Sequence, residues 1–118
     1  MREFTKAIAL LGLGLLAACA KPLPQDHADY AGMWRDANVT LLLTPDGRVE
    51  YEKKVDGATT SIKAPIKGFS GNDFEVGLGP FSTVFKVTKP PYRDGSEWKM
   101  EVDGHTLTRS DETTSIQT

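Results

Sequence analysis

Apolar and polar residues alternate along most of the stretch between residues 31 and 109, and tight turns separate the alternating runs. The clearest turn is Asp103-Gly104, a pair that favours a two-residue hairpin because both positions accept positive φ. Outward pairing from this turn places the apolar residues of both strands on one face and the polar ones on the other. The face that we expect to be buried comprises Trp98, Met100, Val102, His105, Leu107 and Arg109.

Two more turns set the register of an earlier three-stranded meander. Asp56-Gly57 repeats the hairpin signal, and the run 44–47 (Thr-Pro-Asp-Gly) fits a three-residue hairpin that ends in a left-handed glycine. Together they predict strands over 39–44, 48–55 and 58–64. The predicted pairs agree on one buried face across all three strands, which is stronger support than the propensity of any single strand. These pairs are Leu43 with Val49, Leu41 with Tyr51, Val39 with Lys53, Tyr51 with Ile62, and Val49 with Ala64.

The remaining runs predict further short strands over 31–35, 73–76 and 83–87, a turn over 77–81 and a longer loop over 89–96. After the N-terminal segment, no helical period is present beyond a possible turn over 26–30. About eight short strands joined mostly by hairpins predict an all-β domain over 30–109, a small antiparallel up-and-down barrel or flattened barrel. A two-sheet β-sandwich is the alternative.

The N-terminus predicts export and lipid attachment. Two basic residues, Arg2 and Lys6, precede an apolar run over 7–16 that is too short to span a membrane. The following Leu16-Ala17-Ala18-Cys19 resembles the lipobox of bacterial lipoproteins. That resemblance implies that residues 1–18 are a cleaved signal peptide, and that Cys19 carries a thioether-linked lipid and an acylated amino group, with fatty acids such as palmitate. Because Ala20 rather than Asp follows, the resemblance favours the outer membrane, facing the periplasm.

Residues 19–29 contain two prolines and mostly polar side chains, and they predict a tether between the lipidated Cys19 and the domain. Metal ligation by Asp26, His27 and Asp29 is the less favoured interpretation, because flexible ligands provide little preorganisation. The polar residues 110–118 predict a disordered tail.

Gly32-Met33-Trp34 at the start of the first strand and Arg109 at the end of the last resemble the pattern of lipocalin-like barrels. In those barrels a Gly-x-Trp packs its indole at the closed end, and an arginine of the last strand lies across the ring. The resemblance implies that Trp34 and Arg109 close the barrel through a cation–π contact, with Trp98 as a competing partner. The domain is shorter than a typical lipocalin, which puts a large ligand cavity in doubt.

Composition and charge exclude several classes of function. The 118 residues fit one domain, and the net charge of −2 argues against a nucleic-acid binder. One cysteine excludes an internal disulfide framework and a cysteine zinc cluster. No serine or cysteine nucleophile stands in a recognisable context, and His105 is more consistent with a rim residue than with a catalyst. We therefore expect neither an enzyme nor a cofactor or metal.

Four residues are candidates for binding. Leu78 and Phe81 lie in a turn rich in glycine and proline, and Tyr92 lies in the predicted loop 89–96. They would form an apolar rim at one barrel end or, the favoured interpretation, fold back and plug the mouth. Register places Lys53 on the inward face. There it would extend to solvent at an open end, provide a polar group inside a pocket, or point outward at a bulge.

The sequence therefore favours a non-catalytic, membrane-anchored envelope lipoprotein whose small barrel binds a protein partner near the membrane. One alternative is a lipocalin-type carrier of a small apolar ligand. Another is a periplasmic inhibitor of a protease or of lysozyme, although the protease-inhibitor type usually carries a disulfide, which is missing here.

Overall fold

The computed structural model of the chain describes residues 20–110. The predicted signal peptide, Cys19 and residues 111–118 lie outside this range. Within it, one short 3₁₀ helix, Gln25–Tyr30, precedes nine strands. These are β1 (Gly32–Arg35), β2 (Val39–Leu43), β3 (Arg48–Val55), β4 (Ala58–Ser70), β5 (Asp73–Leu78), β6 (Phe81–Phe85), β7 (Val87–Asp94), β8 (Glu97–Val102) and β9 (His105–Ser110).

All nine strands belong to one strongly curled antiparallel sheet with the order β6-β5-β4-β3-β2-β1-β9-β8-β7. Consecutive strands lie side by side in the sheet, except that β6 and β7 do not pair with each other. Strand β1 also pairs with β9, so the first and last strands are neighbours. The predicted all-β, up-and-down architecture is thereby confirmed as a half-barrel. No helix within residues 20–110 is long and apolar enough to cross a membrane.

The three predicted turns set the predicted registers. Leu43 pairs with Val49, and Val55 pairs with Ala58. Val102 pairs with His105 in the last hairpin. The left-handed turn positions are occupied as expected, with φ of 52° and 78° at Asp56 and Gly57 and of 49° and 81° at Asp103 and Gly104. Local turn chemistry therefore determines strand pairing over β2 to β4 and over β8 to β9.

Several predicted boundaries were wrong. The strands expected over 73–76 and 83–87 extend over 73–78 and 81–85, and the two larger differences involve proline. The strand expected to end at residue 64 continues through Pro65 to Ser70, and it shifts register between Ile66 and Gly68. The expected loop 89–96 is mostly strand β7, with one register shift between Val87 and Lys89 and a second, between Lys89 and Tyr92, that spans its two prolines. Proline is tolerated at bulges and at sheet edges, where its missing N–H leaves no ladder bond unmade. Strand β7 is this edge strand, and it is the strand missing from the expected eight.

Strand β4 joins the two parts of the curled sheet. Residues 58–65 pair with β3, and residues 66–70 pair with β5. The chain then returns through β6 and passes directly into β7 at Lys86. The backbone N–H of Lys86 donates to the Asp103 carboxylate at 2.9 Å, and that of Val87 donates to the Asp73 carboxylate at 2.8 Å. The two edge strands of the sheet are thus joined and held at one corner.

Inward side chains fill the space that the curl encloses. The buried residues are all apolar, and Trp34, Leu41, Leu43, Met100 and Leu107 have no exposed surface. Phe74 and Phe85 stack with their ring centroids 5.0 Å apart, and Tyr51 packs against Phe85 at the same distance. Burial of this quantity of apolar side chain is the main stabilising contribution to a domain of this size.

Residues 21–30 differ from the expected solvated tether, because they lie against one end of the sheet. Leu23 donates its backbone N–H to the Pro45 carbonyl at 3.0 Å and packs against the core. His27 Nε2 donates to the Gly71 carbonyl at 2.8 Å, and the Tyr30 hydroxyl donates to the Asn72 carbonyl at 2.8 Å. These contacts join the segment to two turns that are distant in the sequence, which local pattern does not reveal.

Candidate functional site

The predicted closure pair meets near the end of the sheet where β1 begins. The guanidinium carbon of Arg109 lies 5.6 Å from the Trp34 ring centroid and 5.1 Å from that of Trp98. The guanidinium carbon of Arg93 also lies near Trp98, 5.5 Å from its ring centroid. We call Arg93, Trp98, Arg109 and Trp34 the Arg–Trp stack. Both partners considered for Arg109 therefore contact it, and cation–π attraction joins the first strand to the last.

Position 32, next to this stack, requires glycine. A Cβ atom at this position would lie 2.7 Å from Arg109 Cδ, and the backbone φ is +141°. A side chain at position 32 would therefore displace the arginine and would strain the backbone. Trp34 is fixed from the other side, because its indole N–H donates to the Tyr30 carbonyl at 2.8 Å. The Gly-x-Trp spacing thus has a steric explanation within this chain.

Leu78 and Phe81 lie together on the hairpin between β5 and β6, where they are directly paired. They are 59% and 79% exposed, so the expectation that this turn plugs the barrel mouth was wrong. Both line an open groove of about 440 Å³, the apolar groove. Its other lining residues are Ile62, Ala64, Val76, Gly77, Ser82 and Thr83.

Tyr92 does not join the apolar groove. It lies in β7 opposite Lys99, half-buried, with the Lys89 ammonium 5.9 Å from its ring centroid. The alternative of a common rim of Leu78, Phe81 and Tyr92 therefore holds for the first two only. The reason is that 89–96 pairs as a strand with β8 rather than extending as a loop.

Lys53 lies on the inward face, as its register predicts. It pairs with Val39 on one side and with Thr60 on the other, without a bulge, and its side chain is half-buried. Tyr51, the next inward residue of β3, pairs with Ile62 of β4, and Ile62 lines the apolar groove. Lys53 therefore lies near the end of the strand, where a long side chain reaches solvent.

Asp36 and His105 form a side-chain hydrogen bond at the end of the sheet that contains the Asp103-Gly104 turn. His105 Nδ1 lies 3.1 Å from Asp36 Oδ2, and both side chains are about one quarter exposed. The other carboxylate oxygen accepts the backbone N–H groups of Asn38 and Val39 at 2.8 and 2.7 Å. Burial alone would raise the pKa of Asp36, but these amides and the His105 ring lower it overall. This arrangement closes the β1–β2 turn and supplies no nucleophile.

Tyr30 anchors the N-terminal segment inside an aromatic cluster. Its ring centroid lies 5.5 Å from that of Phe69 and 6.2 Å from that of Phe74, and His27 packs 4.0 Å from Phe69. Burial, with smaller contributions from Asp29 and Asp73, raises the pKa of Tyr30 to about 12. The hydroxyl therefore remains a hydrogen-bond donor at neutral pH.

Within residues 20–110, no group of three or more His, Cys, Asp or Glu side chains is arranged to hold a metal ion. Asp26 and His27 bond to each other, and His27 also bonds to the β4–β5 turn. These hydrogen bonds hold residues 26 and 27 against the sheet.

Comparison of the chain with protein-family models, with curated proteins and with solved structures finds no match in any of the three.

Proposed function

We propose that this protein is a non-catalytic, lipid-anchored envelope protein that binds a protein partner through the apolar groove. Two features support the proposal. The run Leu16-Ala17-Ala18-Cys19 supports lipidation of Cys19 and location at the outer membrane, on its periplasmic side. The exposed hairpin of Leu78 and Phe81 supports a partner at the surface of the domain.

The exposure of Phe81 is the observation that carries the proposal. A phenylalanine with 79% of its surface in water loses most of the stabilisation that burial provides, which is about 1.5–3 kcal/mol for such a side chain. The neighbouring apolar groove offers a concave surface beside it. An apolar side chain of a partner would fill the groove while the partner covers Phe81 and Leu78.

The kind of partner follows from the edge strand. Strand β6 ends the sheet, and its sequence, Phe81 to Phe85, contains neither proline nor charge. The opposite edge, β7, carries Pro90 and Pro91 and two register shifts, which are devices that prevent unwanted strand pairing. Only β6 therefore remains suited to adding a strand. We infer an extended, apolar segment of a protein as the partner.

The packing of the interior favours this surface site over the alternative of an internal ligand. The inward aromatic and aliphatic side chains are in mutual contact, and the buried cluster includes Trp34, Phe85 and Met100. An inhibitor of a protease or of lysozyme is a special case of a protein binder, and the identity of the partner distinguishes it.

Site-specific photocrosslinking tests the proposal. Full-length protein carries p-benzoylphenylalanine in place of Phe81 or, as the matched control, of Val55, which is an exposed apolar residue (45%) at a different turn. After irradiation of intact cells, we expect one discrete crosslinked protein from position 81 and none from position 55. Leu78→Ser should weaken the crosslink about tenfold, in line with the loss of one interface anchor.

Equal crosslinking from both positions, or a crosslink unaffected by Leu78→Ser, would contradict the proposal. A small lipophilic molecule crosslinked at position 81 would favour the carrier alternative. A crosslinked hydrolase that purified protein inhibits would identify the inhibitor alternative.

A further inference from the structure

The first described residues are held firmly against the sheet, and they lie next to the proposed lipid attachment site. Lys21 packs so closely on the turn 44–47 that a Cβ atom at Gly47 would lie 1.8 Å from the Lys21 carbonyl oxygen. Leu23 bonds to Pro45 in the same turn. Cys19 is two residues before Lys21, so their Cα atoms are at most about 8 Å apart.

This short distance limits how the domain can be oriented relative to the lipid. A free tether of about ten residues would reach roughly 30–35 Å and would leave every orientation open. Here the docked segment 21–30 leaves only two peptide units between the lipid and the folded domain. Its contacts with the turns 44–47 and 71–72 involve three hydrogen bonds and an aromatic cluster. The lipid therefore connects to a fixed point on the domain.

We infer that the end of the sheet formed by the turn 44–47 and the docked segment lies against the surface of the bilayer. We call it the anchor end. This inference rests on the proposed lipidation of Cys19. The opposite end, with the turns at Asp56-Gly57 and Asp103-Gly104, points away from the membrane.

The chemistry of the anchor end fits a phospholipid surface. A groove of about 370 Å³ lies between the docked segment and β4, where Pro22, Leu23 and Phe69 contribute apolar walls. Lys21 adds a cationic residue and Asp26 an anionic one. The Lys67 ammonium is directed away to the β5–β6 turn, where it donates to the Gly79 carbonyl at 2.9 Å. The Arg–Trp stack lies toward the same end, since Gly32 pairs with Leu43 and Arg93 pairs with Trp98 beside the β7–β8 turn. Indole, arginine and lysine side chains suit the headgroup layer, where apolar and anionic groups meet.

The two ends of strand β3 lie at different distances from the anchor end, so labels there report the orientation. It runs from Arg48, beside the anchor end, to Val55, beside the opposite turn, which at ~3.3 Å per residue separates its ends by about 23 Å. Arg48 and Ala58 are both exposed, and Ala58 pairs with Val55. Because the lipid occupies the only native cysteine, Arg48→Cys and Ala58→Cys each introduce one thiol that a fluorophore can label.

The experiment uses full-length lipidated protein in vesicles of phosphatidylethanolamine and phosphatidylglycerol that contain a nitroxide quencher on the headgroup. We expect the fluorophore at position 48 to be quenched several-fold more strongly than the one at position 58. The double variant Leu23→Ser/His27→Ala, which removes contacts of the docked segment, should reduce this difference. Circular dichroism checks that each variant remains folded.

The outcomes separate the inference from the proposed function. If the protein floats with the vesicles but both positions are quenched equally, the domain is not oriented and the inference is wrong, while the proposed anchoring stands. Stronger quenching at position 58 would reverse the orientation and also overturn the inference. If the wild-type protein does not float, the lipid is absent and the proposed anchoring itself fails.

Discussion

The guanidinium of Arg109 lies between two indole rings, one buried and one half-buried. A lysine at this position keeps the charge but loses the planar group that contacts both rings. We expect Arg109→Lys to lower the free energy of unfolding by about 1 kcal/mol, measured by urea denaturation. Arg93→Lys is the matched control, because Arg93 is exposed and contacts Trp98 alone. Equal effects of the two substitutions would contradict a closure role for Arg109.

Asp36 gives the domain a specific sensitivity to acid. Its pKa is lower in the folded protein than the ordinary value of 3.8, so its carboxylate contributes stability above that value and loses it as the pH falls through the folded pKa. Asp36→Asn keeps an oxygen for the turn amides but removes the charge. We expect the variant to lose about 1 kcal/mol at neutral pH and to show a shallower loss of stability below about pH 4.

Unfolding curves in urea at several pH values between 3 and 7 measure this effect. Asp94→Asn serves as the control, since Asp94 is an exposed residue at the end of β7. If Asp36→Asn leaves the acid limb of the stability curve unchanged, the Asp36 contacts do not stabilise the fold.

The exposure of single residues was the hardest property to predict from the sequence. Alternation correctly assigns Lys53 to the inward face of its strand, whereas Phe81 was expected in a turn. Alternation does not tell whether another strand covers a face. Phe81 is exposed because β6 is the last strand of the sheet, and sheet order depends on contacts between distant residues. The contact of Arg109 with Trp34, by contrast, was expected from the Gly-x-Trp pattern and is present.

At the scale of elements, turns with left-handed positions were the most informative signals. Asp56-Gly57 and Asp103-Gly104 each set the register of a hairpin, and the observed pairs agree with it. Prolines were misleading, because Pro65, Pro90 and Pro91 all lie within strands. Each lies where the ladder is already interrupted or ends, at a bulge or at an edge, and a local pattern does not show which strands are edges.

The docked segment 21–30 illustrates a second limit. Its composition is that of a solvated linker, and six of its ten residues are proline, charged or histidine residues that favour solvent. Its position is nevertheless determined by partners such as Pro45, Gly71 and Asn72, which are 22 to 44 residues away. Such contacts form only after the sheet has curled, so residues 21–30 alone do not predict them.

At the scale of the whole molecule, the curled sheet brings its two edges together at Lys86 and presents two different surfaces. The apolar groove beside Phe81 lies on the hairpin of β5 and β6, and the anchor end carries the docked segment. The proposed fixed attachment to the membrane and the exposed strand edge are complementary, because an oriented domain would present the same edge to every partner.

The proposed orientation at the membrane depends on the proposed lipidation of Cys19. The most direct measurement is the intact mass of full-length protein purified from the membrane fraction of a bacterial host. We expect a species that begins at Cys19 and carries a diacylglyceryl thioether and an amide-linked acyl chain, whereas Cys19→Ser should retain residues 1–18. A wild-type protein recovered in the soluble fraction, or one with an unmodified Cys19, would contradict the account.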